Sequence, residues 1–214
     1  MRVAVIGANG NLGSRLVTLL LDQGHDVIAY VYKGECLDQR AQVIEKNLFD
    51  LTREEIEECD VLLSAFGGGF HVDPVINKNA FLKYKELLHD TNKRLIAIAG
   101  AGSLYVDHHH DMFEYQSDKH PEKLKQISLN IRLGVDELKK DLSFDWVVVC
   151  PSRKFDLTGP YTGQYIIGQD EEVIYNDDQE SYVTYDDLAK AMVDITQTKD
   201  YSQKVITVAT KTLK

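Results

Sequence analysis

Gly7-Ala8-Asn9-Gly10-Asn11-Leu12-Gly13 follows the apolar run Val3–Ile6 and leads into Leu12, Leu16, Leu19 and Leu20, which recur at helical spacing. A strand, then glycines, then a helix is the arrangement on which a dinucleotide pyrophosphate docks. Glycine lets the backbone turn sharply and approach a phosphate without a Cβ. The helix N-terminus behind it offers free N–H groups and a partial positive charge. The spacing is G-x-x-G-x-x-G rather than G-x-G-x-x-G. The tip of the next apolar run, Tyr30-Val31-Tyr32-Lys33, is a second position where chemistry is decided. NAD binders often place an Asp or Glu there to hold the ribose 2′-hydroxyl. Here no carboxylate stands at the tip, and Lys33 would attract a 2′-phosphate, so NADPH is expected over NADH, with NADH possible.

Asp107-His108-His109-His110-Asp111 invites a metal reading. Adjacent side chains are expected to diverge, and no helical i, i+4 histidine pair is present, so no metal site is expected. A solvated loop, or a lid over a substrate, is the expectation instead. Cys36, Cys59 and Cys150 lie far apart with no CxxC, which fits a reducing cytoplasm.

The elements that must position these residues are legible in the apolar pattern. Strands are expected at Val3–Ile6, Val27–Tyr32, Val43-Ile44, Val61–Ala65, Arg94–Ala99 and Asp145–Cys150. Helices are expected over about 11–23, from Asp73-Pro74 to about His89, and over about 121–142. Thr52-Arg53-Glu54-Glu55 is a capping box that should open a short helix. Strand–helix alternation with apolar strands predicts an α/β protein with a doubly wound parallel sheet covered on both faces. After Pro151 the pattern becomes turn-rich, with a short β stretch at Glu172–Tyr175, a helix from Thr184 to about Ile195 and a last strand at Lys204–Ala209. No linker separates this part. One domain over residues 1–214 is expected, with 153–214 a small C-terminal cap on the substrate side that does not fold alone.

The chain has 214 residues and a formal charge of −10, with 43% hydrophobic and 27% charged residues. That length supports a sizeable core without disulfides or a structural metal. The negative charge argues against duplex nucleic acid as a partner, and no apolar run reaches the roughly 20 residues of a membrane span. The charge is uneven: Arg2, Arg15 and Lys33 outnumber Asp22 and Asp26 in residues 1–33, whereas residues 170–187 carry eight acidic residues and no basic one. An anionic ligand is therefore more welcome near the N-terminal segment.

Together these features resemble the atypical short-chain dehydrogenase/reductases, in particular the Rrf2-linked NADH-flavin reductases and the biliverdin IXβ (flavin) reductase group. The resemblance rests on Arg2-Val3-Ala4-Val5-Ile6-Gly7-Ala8-Asn9-Gly10-Asn11-Leu12-Gly13, Val61-Leu62-Leu63-Ser64-Ala65-Phe66-Gly67 and Ala99-Gly100-Ala101-Gly102-Ser103-Leu104. It extends through Asp145-Trp146, Pro151-Ser152, Thr162-Gly163-Gln164-Tyr165 and Asp186-Asp187-Leu188-Ala189 over nearly the whole chain. The resemblance implies a Rossmann-like sheet of order 3-2-1-4-5-6 with the cofactor along its carboxyl edge. It implies that Gly7, Asn9, Gly10, Asn11 and Leu12 hold the pyrophosphate, and that Tyr32 and Lys33 sit at the adenosine ribose. Asp50 and Leu51 would lie at the adenine. Ala65, Phe66 and Gly67 would line the cofactor path, and Ser103, Pro151 and Ser152 would lie near the nicotinamide.

The superfamily's usual acid is a Tyr-x-x-x-Lys pair with a serine, and Tyr115-Gln116-Ser117-Asp118-Lys119 matches that spacing after Ser103. Pro121 makes Lys119 precede the next helix, so the two side chains would not share a helical face. Without the pair, hydride transfer to a flavin or quinone needs only stacking on the nicotinamide, with solvent supplying the proton. The implied activity is an NAD(P)H-dependent oxidoreductase with a small flavin- or quinone-like acceptor, as monomer or homodimer. The alternative is a dinucleotide-binding sensor of the NmrA type without turnover.

Overall fold

The structure is a computed structural model. It describes residues 1–69 and 71–212; Phe70, Leu213 and Lys214 lie outside the described residues. Apolar, β-branched runs form β1 (Arg2–Ile6), β2 (Asp26–Val31), β3 (Gln42–Glu45), β4 (Val61–Ser64), β5 (Arg94–Ile98) and β6 (Asp145–Pro151). Between and after them lie α1 (Asn11–Asp22), α2 (Val75–Leu88) and α3 (Glu122–Leu138). The C-terminal part adds β7 (Lys154–Asp156), β8 (Tyr165–Gly168), β9 (Tyr182–Thr184), α4 (Tyr185–Ile195) and β10 (Lys204–Thr210).

Among the described residues the main sheet has the order β3-β2-β1-β4-β5-β6-β10-β8, so the expected core order holds. Its pairs are parallel except β8 against β10. The pleat decides which layer each residue joins. On β1, Val3 and Val5 pack with α1 and α4, while Ala4 and Ile6 pack with the α2 and α3 layer. This is why the central strands read as continuous apolar runs: both faces are buried.

One expectation, the strand at Glu172–Tyr175, needs correction, and two others gain detail. The capping box opens only a single 3-10 turn, Glu54–Ile56, although the Glu55 carboxylate does accept the Thr52 N–H at 2.9 Å. Glu172–Tyr175 is not a strand; its pairing is limited to Tyr105, whose N–H donates to Glu171 O and whose carbonyl accepts from the Val173 N–H. The C-terminal segment does more than cap. β10 lies between β6 and β8 in the main sheet, and α4 packs beside α1. Only β7 and β9 form a separate two-stranded piece. No helix among the described residues is long and apolar enough to cross a membrane.

Candidate functional site

The site grows from the turn between β1 and α1. Gly7 adopts φ +71°, a left-handed conformation that only glycine takes without strain. Its N–H and that of Ala8 both donate to Tyr30 O at 3.1 Å, which ties the tip of β1 to the tip of β2. The Gly10 N–H returns to Gly7 O at 3.0 Å. A Cβ on Gly13 would collide with the Gly7 carbonyl, so the third glycine lets α1 close onto the turn. No side chain caps α1, and its first turn holds no acidic residue. An uncapped helix N-terminus leaves N–H groups pointing outward as anion donors.

Two cavities meet at this turn. One, of about 380 Å³, is bounded by Gly7, Asn9 and Gly10, by Tyr32 at the end of β2, and by Lys46, Asn47 and Phe49 after β3. The other, of about 360 Å³, is bounded by Asn11 and Leu12 of α1, by α2, by Leu124, Ile127 and Ile131 of α3, and by Phe155 and Tyr185. Ala65, Phe66, Gly67 and Gly68 border both. This strap is held from α2. Ser64 Oγ accepts the Phe66 N–H at 3.2 Å and lies 2.6 Å from the Tyr84 hydroxyl, while Asn77 Oδ1 accepts the Gly68 N–H at 3.2 Å. Burial pushes the Tyr84 phenol well above its ordinary pKa, so it stays neutral. Phe66 is also fixed edge-to-face against Phe49, with centroids 5.9 Å apart. The two cavities form one elongated site along the carboxyl ends of the strands, where ligands bind in open α/β sheets. Its form and its uncapped helix fit a dinucleotide.

Of the residues anticipated for a cofactor, Gly7, Asn9, Gly10, Tyr32, Ala65, Phe66 and Gly67 border the first cavity, and Asn11 and Leu12 the second. Lys33 stands just outside: its carbonyl accepts from Asn9 Nδ2 at 2.7 Å, and its ammonium lies 5.4 Å from the Tyr32 ring centroid. Asp50 is exposed and Leu51 is packed into the core, and neither borders either of these two cavities; Asn47, Leu48 and Phe49 border the first. Pro151 and Ser152 are buried, and the Ser152 hydroxyl donates to Val208 O at 2.9 Å.

The three anticipated catalytic residues are not brought together at either cavity. The Ser103 hydroxyl is buried, donates to Gly100 O at 2.8 Å and lies 3.6 Å from Cys150 Sγ. Burial pushes the Cys150 thiol up to about 12, partly offset by Ser103, so it is no nucleophile. Tyr115 lies in a 3-10 turn, Glu114–Gln116, with its ring 5.8 Å from that of Phe113. That turn is pinned from below, because Arg153 donates through Nε and Nη2 to both oxygens of the buried Glu114 carboxylate at 2.8 and 2.6 Å. Lys119 is exposed and precedes α3, as the proline implied.

The histidine loop differs from expectation in one respect. His108 and His109 do not diverge: their ring centroids are 4.0 Å apart, and one donor atom each from Asp107, His108 and His109 fall within 4.8 Å of one another. All three are exposed, and the Asp107 carboxylate already accepts the His109 N–H at 2.9 Å. His110 instead stacks on Tyr105 at 4.2 Å and contacts Glu172.

Sequence reasoning passed over Lys46, Asn77, Tyr84, Phe155 and Tyr185 as site residues. The signal for Asn77 and Tyr84 was present: two polar groups on the inward face of an otherwise apolar helix stripe. Phe155 and Tyr185 stack face to face at 3.7 Å across a long separation in sequence, a contact no local pattern announces.

The comparisons agree with this geometry. The uncharacterized protein YwnB of Bacillus subtilis (strain 168) is 29% identical over 215 residues, covering 99% of each chain. A dTDP-6-deoxy-L-talose 4-dehydrogenase (NAD(+)) of Aggregatibacter actinomycetemcomitans is 30% identical over 114 residues, 49% of this chain and 42% of that protein. The crystal structure of SP1627 from Streptococcus pneumoniae TIGR4, whose assignment as an NADH-flavin reductase is provisional, superposes with a TM-score of 0.92 at 28% identity, covering 99% and 100% of the two chains. The NAD(P)H-binding family matches residues 7–199, so the glycine turn, the strap and α4 all fall inside it, and this chain belongs to that family.

Proposed function

We propose that this protein is an NAD(P)H-dependent reductase that passes hydride to a small acceptor such as a flavin or quinone. The observation that carries this reading is the junction of the two cavities at the uncapped N-terminus of α1. The glycine turn and the N–H groups of Asn11 and Leu12 would take the pyrophosphate. Tyr32, Lys46 and Asn47 would take the adenosine, and the cavity between α2 and α3 would take the nicotinamide and acceptor. When bound, the reduced nicotinamide supplies the hydride. The chain's part is orientation: α2 fixes the strap through Asn77 and Tyr84, and the stacked Phe155 and Tyr185 rings offer a flat apolar wall.

The polar groups of the acceptor cavity favour this acceptor class. The Tyr84 hydroxyl is engaged by Ser64, and burial raises the pKa of Tyr185, so neither is a ready acid. A simple ketone needs a proton at the moment of reduction, whereas a quinone or flavin delocalises the charge until water supplies one. The provisional assignment of SP1627 supports a flavin.

NADPH is the proposed preferred cofactor, because no carboxylate is among the described residues bordering the adenosine cavity and Lys46 is. A second reading, a dinucleotide sensor without turnover, is favoured by the position of Tyr115 and Lys119 away from both cavities. The test is to mix protein, NADPH or NADH, and FMN or a quinone, and follow the reduced-nicotinamide absorbance. Oxidation that depends on protein and acceptor is expected. Tight cofactor binding with no oxidation by any acceptor would replace the reductase by the sensor.

A further inference from the structure

The two ends of the site differ in how they treat charge. The adenosine end has Lys46, and the N-terminus of α1 stands at the junction, with Gly10 on the adenosine side and Asn11 and Leu12 on the other. The other end has no Asp, Glu, Lys, Arg or His among the described residues that border it. Its walls are Phe66, Phe81, Phe155 and the Leu124, Ile127 and Ile131 stripe of α3.

Two of the polar side chains there, both on α2, already have partners. Asn77 accepts from the Gly68 N–H and donates to Pro74 O, and the Tyr84 hydroxyl meets Ser64 Oγ. Two cations beside the cavity are engaged as well. Arg15 lies over the Tyr185 ring, 5.7 Å from its centroid, but its guanidinium donates to Asp186 at 2.6 Å and to Asn11 O at 2.7 Å. Lys125, beside Leu124 on α3, pairs with Glu122 at 2.7 Å.

With the Asn11 and Leu12 N–H groups taken by the cofactor pyrophosphate, an anionic group entering here would lose water without gaining a counter-charge, which is unfavourable. A net charge of −10 adds a repulsive long-range field. An uncharged flat ring meets the opposite conditions: apolar walls, a stacked aromatic pair and a volume of about 360 Å³, within the range of small-molecule sites.

We propose that this cavity selects uncharged planar rings and discriminates against the same rings carrying a phosphate or sulfonate. Unphosphorylated flavins and simple quinones are then the acceptor class, rather than FMN, FAD or quinone sulfonates. The inference rests on the reading of this cavity as the acceptor end of the cofactor site.

The test compares matched pairs that share a ring and differ in charge: riboflavin with FMN, and 1,4-naphthoquinone with its 2-sulfonate. Binding to protein saturated with NADP⁺ is measured by calorimetry, and kcat/KM with NADPH is measured in parallel. In both pairs the neutral member is expected to bind about tenfold more tightly, and turnover is expected to follow the same order. A ratio below threefold in either pair, a preference for the charged member, or no binding of any ring overturns the proposal. Preferential binding of the neutral rings without any NADPH oxidation upholds the selectivity and removes the reductase reading. Equal turnover of riboflavin and FMN does the reverse. Ile127→Lys sits on a half-buried wall, where a long side chain can keep its ammonium near water. That variant is expected to raise FMN affinity by about fivefold at unchanged melting temperature; unchanged FMN affinity in a folded variant counts against the proposal.

Discussion

At the scale of single residues, the glycine turn leaves the least freedom. A Cβ on Gly13 would meet the Gly7 carbonyl and the Ala8 Cα, both backbone, so no side chain can move aside. Gly13→Ala is expected to cost about 1–3 kcal/mol, read as a lower urea midpoint, and to weaken NADPH binding. A variant with the wild-type midpoint and affinity would show that α1 does not need this close approach. The adenosine end carries a second prediction. Lys46 borders that cavity and is paired with Glu55 at 2.7 Å, and Lys33 stands beside Tyr32. Lys33→Glu and Lys46→Glu are each expected to raise the NADPH Kd about fivefold, near 1 kcal/mol, with NADH affected little. Titration of both cofactors checks this, and equal changes for the two would remove the 2′-phosphate from the argument. The glycines were legible in sequence because their spacing and the flanking apolar runs leave few other uses. Ser103 was misleading for a physical reason: its hydroxyl finds a carbonyl within its own turn, at Gly100, and a sequence does not display that partner.

At the scale of elements, the junctions at the far end of the sheet from the site decide how firmly the helices are held. Asp141, between α3 and β6, is buried and accepts from the Ser143 hydroxyl at 2.6 Å and the Ser143 N–H at 3.0 Å. Its other oxygen lies 2.8 Å from His89 Nδ1, at the end of α2, so one carboxylate joins both helices of that layer. Burial alone would raise its pKa, but the Ser143 and His89 hydrogen bonds outweigh burial and hold it at about 2. A carboxyl depressed on folding contributes stability that is complete above the ordinary carboxylate range and is lost as pH falls towards 2. Asp141→Asn is therefore expected to destabilise by about 1–2 kcal/mol at neutral pH, with the gap constant above about pH 5 and closing towards pH 2. Chemical melts of both proteins across that range check it, and a gap independent of pH would assign the loss to packing instead. The alternation of strands and helices up to β6 was legible because buried parallel strands are continuous apolar runs. β7, β8 and β9 were not. β7 and β9 have three residues each and β8 four half-buried ones, and they pair with partners distant in sequence, as Tyr165 does with Thr210.

At the scale of the whole molecule, the question is whether residues 153–214 are an addition or part of the fold. Asp187 argues for the second. Its buried carboxylate accepts from the Thr162 N–H at 3.0 Å, the Thr162 hydroxyl at 2.8 Å, the Gly163 N–H at 2.9 Å and the Thr210 hydroxyl at 2.8 Å. One side chain thus joins α4, β10 and the Thr162-Gly163 turn before β8, which gives that motif of the sequence a structural cause. Asp187→Ala would leave four donors without that acceptor and is expected to cost about 3–5 kcal/mol in a urea melt. Removing the whole segment asks more. β6 would become an edge whose Val147–Cys150 side chains are fully buried in the intact protein, and α1 would lose α4 from the face holding Leu16 and Leu20. An exposed apolar edge strand pairs with other chains rather than with water. Residues 1–152 alone are therefore expected to aggregate and to lack a cooperative transition, although every residue of the glycine turn and strap is retained. The full chain should unfold in one step by circular dichroism and fluorescence of the buried Trp146 alike. A 1–152 fragment that is monomeric, melts cooperatively and still binds NADPH would make the C-terminal segment a true appendage. It would also locate dinucleotide binding in a smaller unit than the sheet implies.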